Sequence, residues 1–224
     1  MTARSWGFKS PPEHQPSQLH PMNLLIATGN RHKFEEISAI LKSPHRSFSS
    51  LRDLSDPPEV VEDGDTFELN ACKKAVTLAR FSGRWTLADD SGLEVDALGG
   101  EPGVYSARYA GEPSDDAANN CKLLGKLADS QNRRARFRCA IALSDPAGQA
   151  RTVSGACEGT LLTAVRGRGG FGYDPLFVPL GHDQTFAELS PAIKNAISHR
   201  ARALAVALAQ WGVILEHEPS RWPA

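Results

Sequence analysis

The sequence has almost no net charge: 25 lysines and arginines stand against 26 aspartates and glutamates, leaving -1 with histidine neutral. That balance excludes a protein that coats nucleic acid through its overall field, though a local basic pocket remains compatible with it. Cysteine is scarce, and Cys72, Cys121, Cys139 and Cys157 show no short paired spacing. A zinc ribbon and a Cys-x-x-Cys redox pair are thereby excluded, and a reduced, cytoplasmic protein is expected. No apolar run approaches the ~20 residues of a membrane span, and no secretory core stands near the start. Internal repeats are also lacking.

What is present is an ordinary globular composition, 41% hydrophobic and 23% charged over 224 residues, enough to bury a core without disulfide or metal staples. Residues 1–21 carry Pro11, Pro12, Pro16 and Pro21 among polar side chains. They read as a disordered leader, either a flexible tail or a segment translated from a start placed too early, because Met22 immediately precedes the first strand-like run. Residues 22–216 are expected to form one domain, and 217–224 a tail.

Asn23 to Ala27 reads as an apolar strand, Thr28-Gly29-Asn30 as a tight turn, and the following segment as an amphipathic helix with Phe34, Ile37, Ile40 and Leu41 at helical spacing. Phe48 to Leu51 is a second strand candidate, and Pro57-Pro58 opens an irregular loop ending near Glu62-Asp63-Gly64. Thr66 caps a helix over Phe67 to Phe81, in which Phe67, Ala71, Lys74 and Leu78 share one stripe at about 100° per residue. Lys74 is therefore expected to point inward and Lys73 away. Trp85 to Ala88 is strand-like and leads into Asp89-Asp90-Ser91-Gly92, read as a turn or loop at the strand's carboxyl end. Ser114 to Leu127 is a helix capped by Ser114. Arg136 to Leu143 and Gln149 to Cys157 form a hairpin, Gly167 to Gly172 a glycine-rich loop, and His199 to Trp211 a last helix.

Four constellations carry chemistry. Thr28-Gly29-Asn30-Arg31-His32-Lys33 lies where a strand gives way to a helix, a place whose backbone N–H groups and helix dipole receive phosphate, though an Asn or Thr there also serves as a simple cap. Adjacent Asp89 and Asp90 offer hard oxygen ligands, and Glu62 could add another. Phe171-Gly172-Tyr173-Asp174 combines two aromatics and a carboxylate after a flexible approach, suited to stacking on a planar base. Lys194, His199 and Arg200 gather at the start of the last helix, where cations oppose the dipole unless an anion compensates.

Taken in order, Thr-Gly-Asn-x-x-Lys, Thr-Phe-x-x-Asn-Ala, Ala-Asp-Asp-Ser-Gly-Leu, Pro-Gly-Val-Tyr-Ser-Ala-Arg, Gly-Gly-Phe-Gly-Tyr-Asp-Pro and Ser-His-Arg span nearly everything from Met22 to Trp211. Together they resemble the inosine triphosphate pyrophosphatase family. The resemblance implies an α/β fold with an elongated mixed sheet flanked by helices, two lobes around a nucleotide cleft, and a homodimer. It implies Mg2+-dependent hydrolysis of non-canonical purine triphosphates (ITP, dITP, XTP) to the monophosphate and pyrophosphate, keeping them out of DNA and RNA. It assigns Asp90 as the catalytic carboxylate and a metal ligand, with Glu62 and Asp89 completing the metal site. Thr28, Asn30 and Lys33, with Lys74 and Ser91, become the triphosphate cradle, and Gly29, Arg31 and His32 of the same turn are counted among the substrate-binding residues. Phe171, Gly172, Tyr173, Asp174, Lys194, His199 and Arg200 become the base pocket and its supports. Two positions depart from the family pattern: Leu69 stands where a glutamate commonly precedes the motif's asparagine, with Glu68 one place earlier, and Ile193 replaces a glutamate before Lys194.

Three other readings stay open on the residues. A related pyrophosphatase acting on pyrimidine triphosphates would share the phosphate chemistry, and a nucleotide sensor would bind without turnover. A nucleic-acid module would draw on Arg133, Arg134, Arg136 and Arg138, but alternating arginines at a strand start are also an ordinary solvated face. No direct nucleic-acid partner and no membrane partner are expected.

Overall fold

The computed structural model of the chain describes residues 22–217 and Trp222. The leader expected over 1–21 lies outside them, as does most of the expected tail.

Chain order runs β1 (Met22–Ile26), α1 (Arg31–Ile40), β2 (Arg46–Ser50), α2 (Phe67–Ser82), β3 (Thr86–Val95), α3 (Asp116–Lys126), β4 (Arg134–Ser144), β5 (Ala150–Leu161), β6 (Phe177–Pro179), α4 (Pro191–Ile197) and α5 (His199–His217). One six-stranded sheet has the order β2-β1-β3-β4-β5-β6. β1 pairs in parallel with β2 and β3, whereas β3-β4, β4-β5 and β5-β6 are antiparallel. This is the mixed α/β sheet expected.

Side-chain alternation along the strands sorts the core into layers. Leu24, Ile26, Leu87, Ile141 and Leu143 pack under α1 and α5 with Ile37, Leu204 and Trp211, while Leu25, Ala27, Ala88, Ala140 and Ala142 face Phe67, Ala71, Ala75 and Leu78 of α2. Alanines dominate the second layer, so α2 sits close to the sheet. A third cluster, with Leu93, Phe137, Leu176, Phe177 and Phe186, fills the far end. Trp222, placed in the tail by sequence, is buried and meets Trp85 and Trp211 edge-on at 5.2 and 5.9 Å between ring centroids.

The structure corrects one element that matters for the site. Asp89-Asp90-Ser91-Gly92 is not a turn: β3 runs unbroken to Val95, pairing Thr86 with Ser144 through Val95 with Ala135. Gly92 serves close approach instead. A Cβ there would lie 2.4 Å from Ser106 Oγ and 2.5 Å from the Gly103 carbonyl oxygen, so its absence lets the 3-10 helix Gly103–Arg108 rest on the strand. The helix α4, which carries Lys194, has no counterpart among the expected elements; other differences are at boundaries, with Asp115 rather than Ser114 capping α3 and α5 continuing six residues past Trp211 to His217. β6, three residues long, carries no periodicity to read.

Candidate active site

Two neighbouring aspartates on a strand must point to opposite sides of the sheet, and β3 sends Asp90 toward α2 and Asp89 toward α5. On the α2 side, Lys74 projects from the helix with its side chain nearly buried. Its Nζ lies 2.9 Å from Glu62 Oε2, 2.7 Å from the Asp89 carbonyl oxygen and 3.9 Å from Asp90 Oδ1. Arg108 Nη2 donates to the Glu62 carbonyl oxygen at 3.0 Å, tying the irregular loop to the cleft. Asp90 Oδ1 accepts from the Ser91 N–H at 3.0 Å, but Asp90 Oδ2 is buried without any hydrogen-bond partner. Burial, with some help from the negative charges of Glu62 and Asp89, pushes the Asp90 carboxyl up to about 6 against the pull of Lys74 and Lys33. These groups open on a cleft of about 460 Å³ that Thr28, Asn30, Lys33 and Ser91 also line.

On the other side Asp89 is fully enclosed. Lys33 Nζ sits 2.8 Å from Oδ1, while Arg200 Nε and Nη2 donate to Oδ2 at 3.1 and 3.0 Å. Burial opposes its ionisation, yet Arg200, Lys33 and Lys74 together hold the carboxyl well below the usual range. Arg200 also donates to Ser91 Oγ at 2.9 Å and pairs through Nη1 with Glu36. Glu36 Oε1 in turn lies 2.8 Å from Lys194 Nζ, and Lys194 Nζ donates to Asp174 Oδ2 at 2.6 Å. Six charges, Lys33, Lys194 and Arg200 against Glu36, Asp89 and Asp174, thus neutralise one another out of water. Arg200, a cation at the start of α5 and unfavourable toward its dipole, finds its compensation here, whereas Lys194 lies in the last turn of α4, where a cation suits the dipole.

A smaller cavity of about 120 Å³ adjoins the cleft and shares Asn30, Lys33, Ser91 and Ala107 with it. Phe171, Tyr173, Asp174, Lys194, His199 and Arg200 form much of its wall. His199 stacks on Phe137 with centroids 4.7 Å apart, and its Nδ1 is buried without a partner. Burial, reinforced by Arg200 and Lys194, holds the imidazole well below its usual range and therefore neutral. Burial likewise raises Asp174 in spite of Lys194. Asp116 Oδ2 accepts from the Gly172 N–H at 2.6 Å, and Asn120 Nδ2 donates to the Gly172 carbonyl oxygen at 2.8 Å, so α3 fixes the glycine-rich loop.

The structure thus gathers Lys33, Lys74, Asp90, Ser91 and Glu62 at the cleft and Phe171 to Asp174, Lys194, His199 and Arg200 at the adjoining cavity. Four of the expected residues have surroundings that bear on their roles. Asp89 stands apart from Asp90 and Glu62, because strand alternation turns it away and two cations occupy its oxygens. Arg31 faces solvent in an i,i+4 pair with Glu35 rather than the cleft. His32 lies against Phe171, not among the cleft residues. The first helical N–H groups of α1 are not all open, since Asn30 Oδ1 accepts from those of His32 and Lys33. Glu36 was missed, although it falls on the inward side of α1 beside Ile37, where a glutamate requires cationic partners. Of the departing residues, Glu68 pairs with Arg138 at 3.1 Å, and Leu69 and Ile193 are exposed.

Of the three carboxylates that line the cleft, Glu59 is exposed, and Glu62 and Asp90, both beside Lys74, are the pair that could hold a metal ion. Among the described residues no cluster of three or more His, Cys, Asp or Glu side chains is arranged for one. Two hard oxygen groups, one with an orphaned buried oxygen, match the way Mg2+ is usually held, by one or two carboxylates with phosphate and water completing its shell.

Comparison with known proteins places this arrangement. A dITP/XTP pyrophosphatase of Desulforamulus reducens is 52% identical over 189 residues, 84% of this chain and 94% of that protein. One from Geobacter sulfurreducens is 54% identical over 185 residues, 82% and 93% of the two chains. The solved structure of the Staphylococcus aureus Ham1 protein matches with a TM-score of 0.77 at 40% identity, covering 85% of this chain and 98% of that one. Residues 24–210 match the Ham1 family throughout, and the chain belongs to that family.

Proposed function

We propose that the protein is a nucleoside triphosphate pyrophosphatase that hydrolyses non-canonical purine nucleotides, ITP, dITP and XTP, to the monophosphate and pyrophosphate. The observation that carries this reading is the orphaned Oδ2 of Asp90, buried beside Lys74 and Glu62 in a cleft continuous with an aromatic-walled cavity. The relatives' names support the substrate class.

The triphosphate lies along the cleft, where Lys74 supplies positive charge and Lys33, paired with Asp89 behind it, lines the wall. Asp90 aligns a water for attack on the α-phosphorus and receives its proton. A new P–O bond forms as the bond between the α-phosphorus and its bridging oxygen breaks, and pyrophosphate leaves. A carboxylate that touches a metal is a poor base unless its free oxygen faces the water, so the orientation of Asp90 Oδ2 matters more here than its proton affinity. Mg2+ held by Asp90 and Glu62 would neutralise charge growing on the phosphate oxygens.

At the base, Lys194 spends two of its three N–H donors on Glu36 and Asp174, and His199 Nδ1 is unpaired. These are the groups left to meet the carbonyl oxygen of hypoxanthine or xanthine, where adenine presents an amino donor. Each donor-to-donor mismatch costs roughly 1–3 kcal/mol, so ATP is rejected by accumulation. Arg200 spends four of its five N–H donors on Asp89, Glu36 and Ser91 and supports the pocket.

The test is pyrophosphate release from ITP, XTP, ATP, GTP and dTTP with and without Mg2+. Preference for ITP and XTP with strict dependence on the metal is expected; equal rates on ATP would remove the selectivity, and binding without release would leave a sensor. The resemblance also implies a cytoplasmic homodimer, which a monomeric mass in light scattering would exclude.

A further inference from the structure

Phe171 lines the small base-side cavity and also a second one of about 370 Å³ on its outer side. His32 lines the outer cavity, with Glu35, Glu36 and Gly170, and is absent from the inner one. The imidazole stacks on the Phe171 ring with centroids 5.5 Å apart and planes 9° from parallel. Seen from the base cavity, His32 stands behind the wall.

That placement matters because the loop carrying Phe171 has little of its own to fix a ring. Gly169, Gly170 and Gly172 surround it, and Gly170 and Gly172 adopt φ of 71° and 61°. The loop's backbone is tied: the Phe171 N–H donates to Asp174 Oδ2 at 2.9 Å and the Gly172 N–H to Asp116. The side chain, half-buried, depends on what touches it. Lys194 Nζ lies 4.7 Å from the ring centroid and His32 supplies the parallel surface. The backbone of His32 is fixed in the first turn of α1, where its main-chain N–H donates to Asn30 Oδ1 at 2.9 Å. The segment that borders the phosphate cleft therefore also backs the wall of the base cavity.

We propose that His32 is a positioning residue for base recognition: by stacking on the outer side of Phe171 it holds that ring where a purine can lie against its inner side. The inference rests on the purine reading above and deepens it. A ring already ordered spares the ligand the entropy of ordering it, so the contribution appears in binding and not in the chemical step. Any planar aromatic side chain at position 32 should serve, whereas a polar side chain without a π surface should not.

The test compares H32A, H32Q and H32F with the full-length wild-type protein. For H32A and H32Q the KM for ITP should rise about 3- to 10-fold, the range of one aromatic pair, with kcat retained; H32F should restore it. Calorimetric titration with inosine monophosphate should show the same ordering of Kd, independent of turnover. Thermal melting of each variant separates these effects from loss of fold. In NMR spectra of the wild type, the His32 ring protons should carry a ring-current shift that F171L removes. If KM and Kd are unchanged in H32A, or if H32Q restores them and H32F does not, the inference is overturned. If the wild type hydrolyses no purine triphosphate, the proposed activity falls by itself; the inosine monophosphate titration then decides the role of His32, and absence of binding overturns it too.

Discussion

Asp90 keeps one oxygen without a donor in a place from which water has largely been removed, a costly arrangement for a residue with only a structural task. Replacing it with asparagine keeps the shape and removes the charge, so D90N should fold normally and lose about 100-fold or more in turnover, the scale of lost acid–base assistance. Steady-state pyrophosphate release checks this, and a variant with full activity would remove Asp90 from the mechanism. His199 makes a different prediction. Its ordinary value is 6.5 and the folded protein holds it well below. Below about pH 6.5 the unfolded chain therefore takes up a proton that the folded chain refuses, and this residue's contribution to stability falls as pH drops, by at most ~1.4 kcal/mol per pH unit. H199Q has no such term, so urea unfolding of the wild type should lose more stability than H199Q between about pH 7.5 and 5.5. Parallel pH profiles would show that the imidazole is charged in the fold.

At the scale of elements, β3 does the most to build the site. Its residue Gly92 leaves the space into which Ser106 reaches, and the Ser106 Oγ accepts from the Leu93 N–H at 2.9 Å while donating to the Gly103 carbonyl oxygen at 2.6 Å. G92A forces a methyl group into that contact and should destabilise by about 1–3 kcal/mol, the usual cost of overpacking. It should also reduce activity, because the same 3-10 helix carries Arg108 to the Glu62 backbone; denaturant midpoints and turnover measured together check both. This strand also marks where the sequence was legible. The inward turn of Lys74 followed from one stripe of Phe67, Ala71 and Leu78, a signal internal to α2. Asp, Ser and Gly in succession read locally as a turn, and only ten residues of antiparallel pairing with β4 override that preference. Glu62, on the irregular loop after Pro57-Pro58, has no periodicity at all, and its residue type alone left it a possible oxygen ligand until the family pattern gave it a place.

The whole molecule is organised around a charge cluster that no local pattern discloses, since Glu36, Asp89, Asp174, Lys194 and Arg200 come from α1, β3, the glycine-rich loop, α4 and α5. Arg200 is its hub, completely buried with bonds to Asp89, Glu36 and Ser91. Removing one member of such a cluster leaves its partners buried and uncompensated, so R200M should cost about 3–5 kcal/mol. Equilibrium unfolding measures this, and a loss below about 1 kcal/mol, the size of an exposed pair, would mean that the cluster is open to solvent. The fold class and the order of the main elements were readable because each long helix and strand announces its own period. The pairing of distant charges was not, because it exists only after those elements are packed.

Two consecutive residues of one strand hold opposite offices. Asp89 is spoken for by permanent cations, whereas its neighbour is left wanting a partner. Because each step along an extended chain reverses direction, sliding β3 by a single position against β4 would exchange the faces they address, turning Asp89 to the side of α2 and Asp90 to the side of Arg200 and Lys33. The paired ladder that fixes this alignment is therefore as much a part of the chemistry as either acid, and insertions anywhere between Thr86 and Asp90 should be far more harmful than the same insertions in the loop before Thr66.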